Sequence, residues 1–301
     1  MKHSSVPRIV VVTRPSQYQT LLERHGTRNQ AKFFVESRGQ DLDEVQGWHD
    51  RFTSALGEVS RVIPKSWRRV TVDRGSLDRF LFEPGDVVVA VGQDGLVPNV
   101  AKYLTGQLVI GINPEPDRQP GILVLHTSEA AGDLIWAAGQ RNPQAVQERT
   151  MVEARFDDGQ RLIALNEVFI GQRTHQSALY RIRVDSDEER HSSSGIIVST
   201  GTGATGWASS VNREREQKMH MPAPSDPALA WFVREAWNSP WTGVSLSGGR
   251  LAADQNLEVI SEMSETGVVF GDGIEDDCVH FGWGQKLTVG TAKHRLQLMA
   301  A

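Results

Sequence analysis

The sequence predicts an α/β N-terminal domain followed by a mostly antiparallel β domain. Three observations lead there. Apolar, β-branched runs at Arg8 to Thr13, Asp86 to Val91 and Leu108 to Asn113 alternate with helix-prone stretches, the pattern of a parallel sheet covered on both faces. The texture changes near Arg141-Asn142-Pro143. Beyond Met151 short strands and tight-turn signals dominate.

In the first half, Arg8-Ile9-Val10-Val11-Val12-Thr13 reads as a buried parallel strand. The polar stretch Gln17 to Glu36 is helix-prone, with Leu21, Leu22, His25, Phe33 and Phe34 as an imperfect apolar face. Val59 to Ile63 and Arg69 to Val72 read as short extended pieces, and Ser76 to Leu81 as a helical turn ended by Pro84-Gly85. Leu96, Val100 and Leu104 have helical spacing, with Gly106 as the stop. In the second half, strands are expected at Met151 to Phe156, Arg161 to Ile170 after the Asp157-Asp158-Gly159 turn, Leu179 to Val184, Ile196 to Ser199, and several times beyond Trp241. Ser225-Asp226-Pro227 before Ala228 to Val233 reads as a helix start. Arg213 to Lys218 reads as a solvated charge run.

Composition narrows the function. The 301 residues suffice for two domains, and 39% hydrophobic with 23% charged residues suits a globular chain. A net charge of −5 argues against bulk nucleic-acid binding. The single Cys278 excludes an internal disulfide framework and a cysteine-rich metal site, and the scattered histidines give no zinc spacing. The expected metal site is therefore none. Met1 to Pro7 lacks a secretory core and no apolar run is long enough for a membrane helix, so the expected location is cytoplasmic, with no membrane partner. Neither a Walker-type loop nor a Gly-x-Ser-x-Gly elbow occurs.

Three segments can carry chemistry. Asp94, in Val91-Gly92-Gln93-Asp94-Gly95, follows a strand whose carboxyl end opens onto the ligand crevice of an α/β sheet. It can act as a general base, or the segment can be a plain Asp-Gly turn. Asn166-Glu167 is a polar pair in an apolar run. It can hold a polyol such as a ribose, or bond a neighbouring loop. Thr200-Gly201-Thr202-Gly203 can present backbone N–H groups and hydroxyls to a ligand, or serve as a strand-to-helix connection with a capping threonine. Asp272-Gly273 reads as an ordinary turn.

Taken in order, these segments resemble the NAD kinase family, most of all its mitochondrial-type branch and bacterial relatives. Val87 to Gly95 reads VVVAVGQDG where the family has a strand and Gly-Gly-Asp-Gly. Gly111-Ile112-Asn113 then leads into a Pro/Arg-rich segment ending at Gly121. Leu165-Asn166-Glu167-Val168, Ser194-Gly195, Thr200 to Gly203 with Trp207, Phe232 to Glu235, Asp272-Gly273 and the start Val12-Thr13-Arg14 match as well.

The resemblance implies a Rossmann-like α/β nucleotide-binding domain over residues 1–140. It implies a β-rich dinucleotide-binding domain over 141–289, of the NAD kinase/diacylglycerol kinase-like type, with the tail from about 290 to 301 returning to the first domain. It implies transfer of the γ-phosphoryl group of ATP, brought with Mg²⁺, to the adenosine ribose 2′-hydroxyl of NAD, giving NADP. Asp94 would be catalytic. Gly92, Gln93, Gly95, Asn113 and Arg118 would bind nucleotide phosphates, and Asn166, Glu167, Thr200, Gly201, Thr202 and Gly203 would bind NAD, the site lying in a cleft between the domains. A homodimer or homotetramer is implied as the assembly.

The pattern is not complete. Gln93 replaces the second glycine and Leu96 the threonine that follows; Ala204 replaces a serine. The alternative reading is therefore a dinucleotide-binding homologue with weak or no kinase activity. A third is a relative acting on a lipid or sugar alcohol.

Overall fold

The computed structural model describes residues 6–140 and 146–300. The change of texture at Arg141-Asn142-Pro143 lies outside the described residues. The chain divides into two compact units, Met1–Gln147 with Gln297–Ala301, and Glu148–Leu296.

The first unit is built on a sheet whose strands are β1 (Arg8–Thr13), β2 (Arg68–Asp73), β3 (Val87–Val91), β4 (Leu108–Ile112), β5 (Val146–Arg149) and the late strand Leu296–Met299. Their order is β2-β1-β3-β4, then Leu296–Met299, then β5. The pairs β1–β2, β1–β3, β3–β4 and β4 with the late strand are parallel. Every residue of β3 is buried, as a strand covered on both faces requires. One face packs Ile9, Val11, Val89 and Ile110 against Ala55, Val59, Ile63 and Ile135 of the helices.

Those helices are α1 (Gln17–His25), α2 (Arg28–Glu36), α3 (Leu42–Val62), α4 (Leu96–Ala101) and α5 (Ala131–Gly139). The helix-prone stretch from Gln17 to Glu36 breaks at Gly26, whose φ of 76° an L side chain rarely adopts, and Thr27 restarts it by capping α2. Val59 to Val62 is the end of α3 and not an extended piece. Ala55, Val59 and Ile63 recur every four residues, and that row is the stripe α3 buries against the sheet. Asp41 caps α3, and Asp43 and Glu44 suit the positive end of its dipole.

The second unit holds two six-stranded antiparallel sheets. One runs β10 (Asp187–Ser193), β9 (Ala178–Val184), β14 (Leu257–Ser261), β17 (Lys286–Thr291), β6 (Val152–Phe156), β7 (Arg161–Ala164). The other runs β13 (Gly248–Leu251), β12 (Leu229–Val233), β11 (Ile196–Ser199), β8 (Glu167–Gln172), β15 (Gly267–Gly271), β16 (Val279–His280). Alternate residues of both sheets, among them Val152, Val168, Tyr180, Val198, Trp231, Val259 and Leu287, form one core. α6 (Trp207–Arg213) follows β11, and β18 is the late strand Leu296–Met299 already placed in the first sheet.

Three expectations are corrected here. Leu229 to Val233 is strand β12 and not a helix. All five of its residues are buried, and it pairs with β11 on one side and β13 on the other. Arg161 to Ile170 is two strands, β7 and β8, interrupted at Leu165-Asn166. Within the charge run, Arg215 is not simply solvated. It donates to the carbonyl oxygens of Val233, at 3.2 Å, and of Ser247, and it lies over the Phe232 ring. Among the described residues no helix is long and apolar enough to cross a membrane.

Candidate functional site

In the first sheet, the chain leaves β1 to form β2 on one side and returns with β3 on the other. The carboxyl ends of β1 and β3 therefore diverge into loops pointing opposite ways, the place where open α/β sheets leave a crevice. A crevice of about 230 Å³ lies there, lined by Arg14 and Ser16 after β1, Gly92 and Gln93 after β3, and Glu115 and Arg118 after β4. Trp48 and His49 of α3 complete it.

Its side chains are tied in pairs. Gln93 Oε1 accepts a hydrogen bond from the Arg14 guanidinium. His49 Nδ1 is 2.9 Å from Ser16 Oγ. Arg118 lies 3.6 Å over the Trp48 ring, a cation–π stack. Glu115 is paired with Arg51 at 2.8 Å. Burial, with Arg74 as a like-charged neighbour, lowers the Arg14 pKa from its ordinary value.

Asp94 sits at the turn into α4, and its carboxylate holds a backbone segment. Oδ1 accepts from the N–H groups of Ile122 and Leu123 at 2.9 Å and of Val124 at 3.1 Å, and Ile122 N also lies 3.1 Å from Oδ2. That clamp presses the 121–124 turn onto β4, where a Cβ on Gly111 would lie 2.2 Å from Leu123 O. Oδ2 accepts from one N–H group where Oδ1 accepts from three. Asn113 serves the same loop: Nδ2 donates to Gln119 O at 2.7 Å and Oδ1 accepts from Glu115 N at 2.9 Å. Gly95 is exposed and caps α4 through its backbone. Of the residues expected around phosphates, the crevice gathers Gly92, Gln93 and Arg118; Asn113 shapes its wall.

The second unit gathers the other expected residues. Asn166 lies in the break between β7 and β8. Asp272, at the end of β15, accepts from Leu165 N at 3.0 Å and Asn166 N at 2.6 Å, and it adopts a left-handed φ of 54° to do so. Thr200 is fully buried. Its Oγ1 donates to Leu165 O at 2.6 Å and accepts from Thr202 N at 3.1 Å and Gly203 N at 3.3 Å. A Cβ on Gly203 would lie 2.3 Å from Asn166 O, and one on Gly201 2.1 Å from Ala223 O. The glycines thus make room for the protein's own backbone, and the turn is locked against the Asn-Glu break.

Two side chains stay uncommitted in this cluster. Among the described residues, neither the Asn166 carboxamide nor the Glu167 carboxyl has a hydrogen-bond partner. Glu167 is only 9% exposed, and burial, reinforced by the nearby Asp272 carboxylate, pushes its pKa up to about 7. An unpartnered buried carboxyl beside a free carboxamide is set up to meet a ligand's hydroxyls.

No family model matches the chain. It is 27% identical over 267 residues to mitochondrial NAD kinase 2 of Rattus norvegicus, covering 70% of this chain and 61% of that protein. Among solved structures it is similar to an NAD kinase from Archaeoglobus fulgidus in complex with ATP, with TM-score 0.59, 19% identity, 97% of this chain and 93% of the other. It is also similar to yeast NADH kinase complexed with NADH, with TM-score 0.65, 11% identity, 99% of this chain and 84% of the other. These similarities support assignment to the NAD kinase family. The chain spans about three fifths of the length of the mitochondrial relatives it matches.

Against the Gly-Gly-Asp-Gly of the family it resembles, the departure at Gln93 takes a definite shape. Gln93 is outside the left-handed region, so no backbone strain follows from the missing glycine, and its side chain turns to Arg14. Leu96 is buried and packs 3.4 Å from where a Gly92 Cβ would stand. Sequence reasoning missed Trp48, His49 and the clamping role of Asp272. The first two stand on α3, which carried no motif. Asp272 had a signal, an Asp-Gly pair closing an apolar strand, but nothing local showed which backbone it would hold.

Proposed function

We propose that this chain is an ATP-dependent NAD kinase. In the proposed reaction the 2′-oxygen of the adenosine ribose of NAD attacks the γ-phosphorus of ATP. A P–O bond to that oxygen forms, the bond to the β-phosphate oxygen breaks, and the hydroxyl proton leaves to a base; the products are NADP and ADP. Similarity to NAD kinases supports this, as do an ATP complex for one structural neighbour and an NADH complex for the other. The observation that carries it is the crevice at the β1/β3 divergence, cationic and glycine-lined, in a chain whose second unit keeps a buried carboxyl and a carboxamide unspent.

Asp94 is assigned to the acceptor hydroxyl through Oδ2, since Oδ1 already accepts three N–H groups. Asn166 and Glu167 are assigned to ribose hydroxyls of NAD, and the Thr200 to Gly203 turn holds those two in place. Mg²⁺ enters with ATP as part of the co-substrate. Catalysis of this type rests on positioning and charge neutralisation. The assembly expected with this reading is a homodimer or homotetramer, which sedimentation of the purified chain tests.

The clamp on Asp94 and the side chain at Gln93 favour a second reading, a dinucleotide-binding homologue with weak kinase activity. Incubating the purified chain with ATP, Mg²⁺ and NAD and assaying NADP separates the two. NADP accumulating linearly with enzyme is expected; NAD binding without NADP gives the second reading.

A further inference from the structure

In a chain with 37 acidic residues, a partly buried arginine ordinarily finds a carboxylate. Arg14 does not. Among the described residues its recorded hydrogen-bond partner is the neutral Gln93, and the charged group nearest to it in effect is another arginine, Arg74. Arg118 also lacks a carboxylate partner among the described residues and rests on Trp48. The one acid lining the crevice, Glu115, is taken by Arg51. The crevice therefore carries two uncompensated guanidiniums.

The Arg14–Gln93 bond also fixes what Gln93 offers. A guanidinium has no acceptor, so the glutamine oxygen must face it. The Gln93 amide nitrogen is then turned away from Arg14, and its N–H groups have no partner among the described residues. Every group thus fixed is a donor.

We propose that Arg14 and Gln93 form a cradle for the phosphate chain of the donor nucleotide, closed by Arg118, so that the glutamine is a phosphate ligand rather than an obstruction. This rests on the kinase reading for the identity of the donor, and on the crevice alone for its anion class. Charge-assisted bonds from a guanidinium to phosphate oxygens are the strong kind, and an oriented carboxamide adds directional donors.

The test titrates the full chain with inorganic tripolyphosphate and with MgATP, following heat, and compares Gln93→Gly, Gln93→Glu and Arg14→Gln. The wild type is expected to bind both. Gln93→Gly and Arg14→Gln each weaken tripolyphosphate binding tenfold or more, with NAD binding within twofold of the wild type. Gln93→Glu is nearly isosteric and keeps the bond to Arg14, so it folds even if the glycine variant does not. It is expected to lose tripolyphosphate binding by repulsion. A wild type that ignores tripolyphosphate, or a Gln93→Gly that binds it as tightly or more tightly, overturns the cradle. NADP production with the ATP KM unchanged in both Gln93→Gly and Arg14→Gln overturns the cradle and leaves the kinase standing. Tripolyphosphate binding that the variants lose, in a wild type making no NADP, does the reverse.

Discussion

Glu167 is protonated in the fold at pH values where the unfolded chain has already lost that proton. Its carboxyl is pushed from the ordinary 4.5 to about 7, by burial first and by Asp272 second. Between those two values the folded state binds more protons, so its contribution to stability falls as pH rises and is gone above about pH 7. Glu167→Gln keeps the shape without the charge. Urea unfolding is expected to show it more stable than the wild type at pH 8 by roughly 1–3 kcal/mol, with the gap closing toward pH 5. A gap of the same size at both pH values refutes the assignment. The Asp94 carboxylate is gripped by backbone donors. Asp94→Asn keeps an acceptor for the 122–124 turn, so the fold survives, while the NADP-forming rate is expected to drop ~10²–10⁴-fold. An unchanged rate removes Asp94 from the proton path. The sequence pointed to Asp94 because it follows a strand whose carboxyl end opens onto the crevice of an α/β sheet, and to Glu167 because a polar pair in an apolar run is costly to bury idle. It could not show what each carboxylate faces. Those partners are the N–H groups of residues 122–124, nearly thirty positions away from Asp94, and Asp272, over a hundred positions away from Glu167.

At the scale of elements, the Thr200 to Gly203 turn works as a lock between β11 and the β7–β8 break. Thr200→Val preserves volume but leaves Thr202 N and Gly203 N without their acceptor and Leu165 O without its donor. A loss of roughly 2–4 kcal/mol is expected in equilibrium unfolding, with NAD affinity falling alongside. A loss under about half a kcal/mol shows the lock to be slack. Strands β1, β3 and β4 were legible because uninterrupted Val/Ile runs bury on both faces. β12 was not. Ser225-Asp226-Pro227 carries the local signals of a helix start, and Leu-Ala-Trp-Phe-Val has no period that separates a buried strand from a buried helix turn. Only its place between β11 and β13 decides. α3 was lost for the reverse reason: Gly47 and Gly57 and the β-branched Val59 and Val62 near its end dilute a stripe that the sheet then rewards.

For the whole molecule, the arrangement of most consequence is β18. It pairs with β4 through Gln297–Leu108 and Leu298–Val109, and Leu298 is fully buried. The sheet whose strands β1 and β3 end at the crevice is therefore finished by residues that follow the entire second unit. Leu298→Asp buries a charge with nothing to meet it. Amide exchange is expected to rise across β3 and β4, far in sequence from the substitution, with the second unit's strands still protected. Uniform loss of protection in both units refutes independent closure. During synthesis the ribosome must deliver the other half of the protein before that early sheet can be sealed. The nascent first half waits, with Val109 and its neighbours bare on one flank, and a pause or a chaperone between residues 150 and 296 would do the most there to decide whether the chain is saved or aggregates.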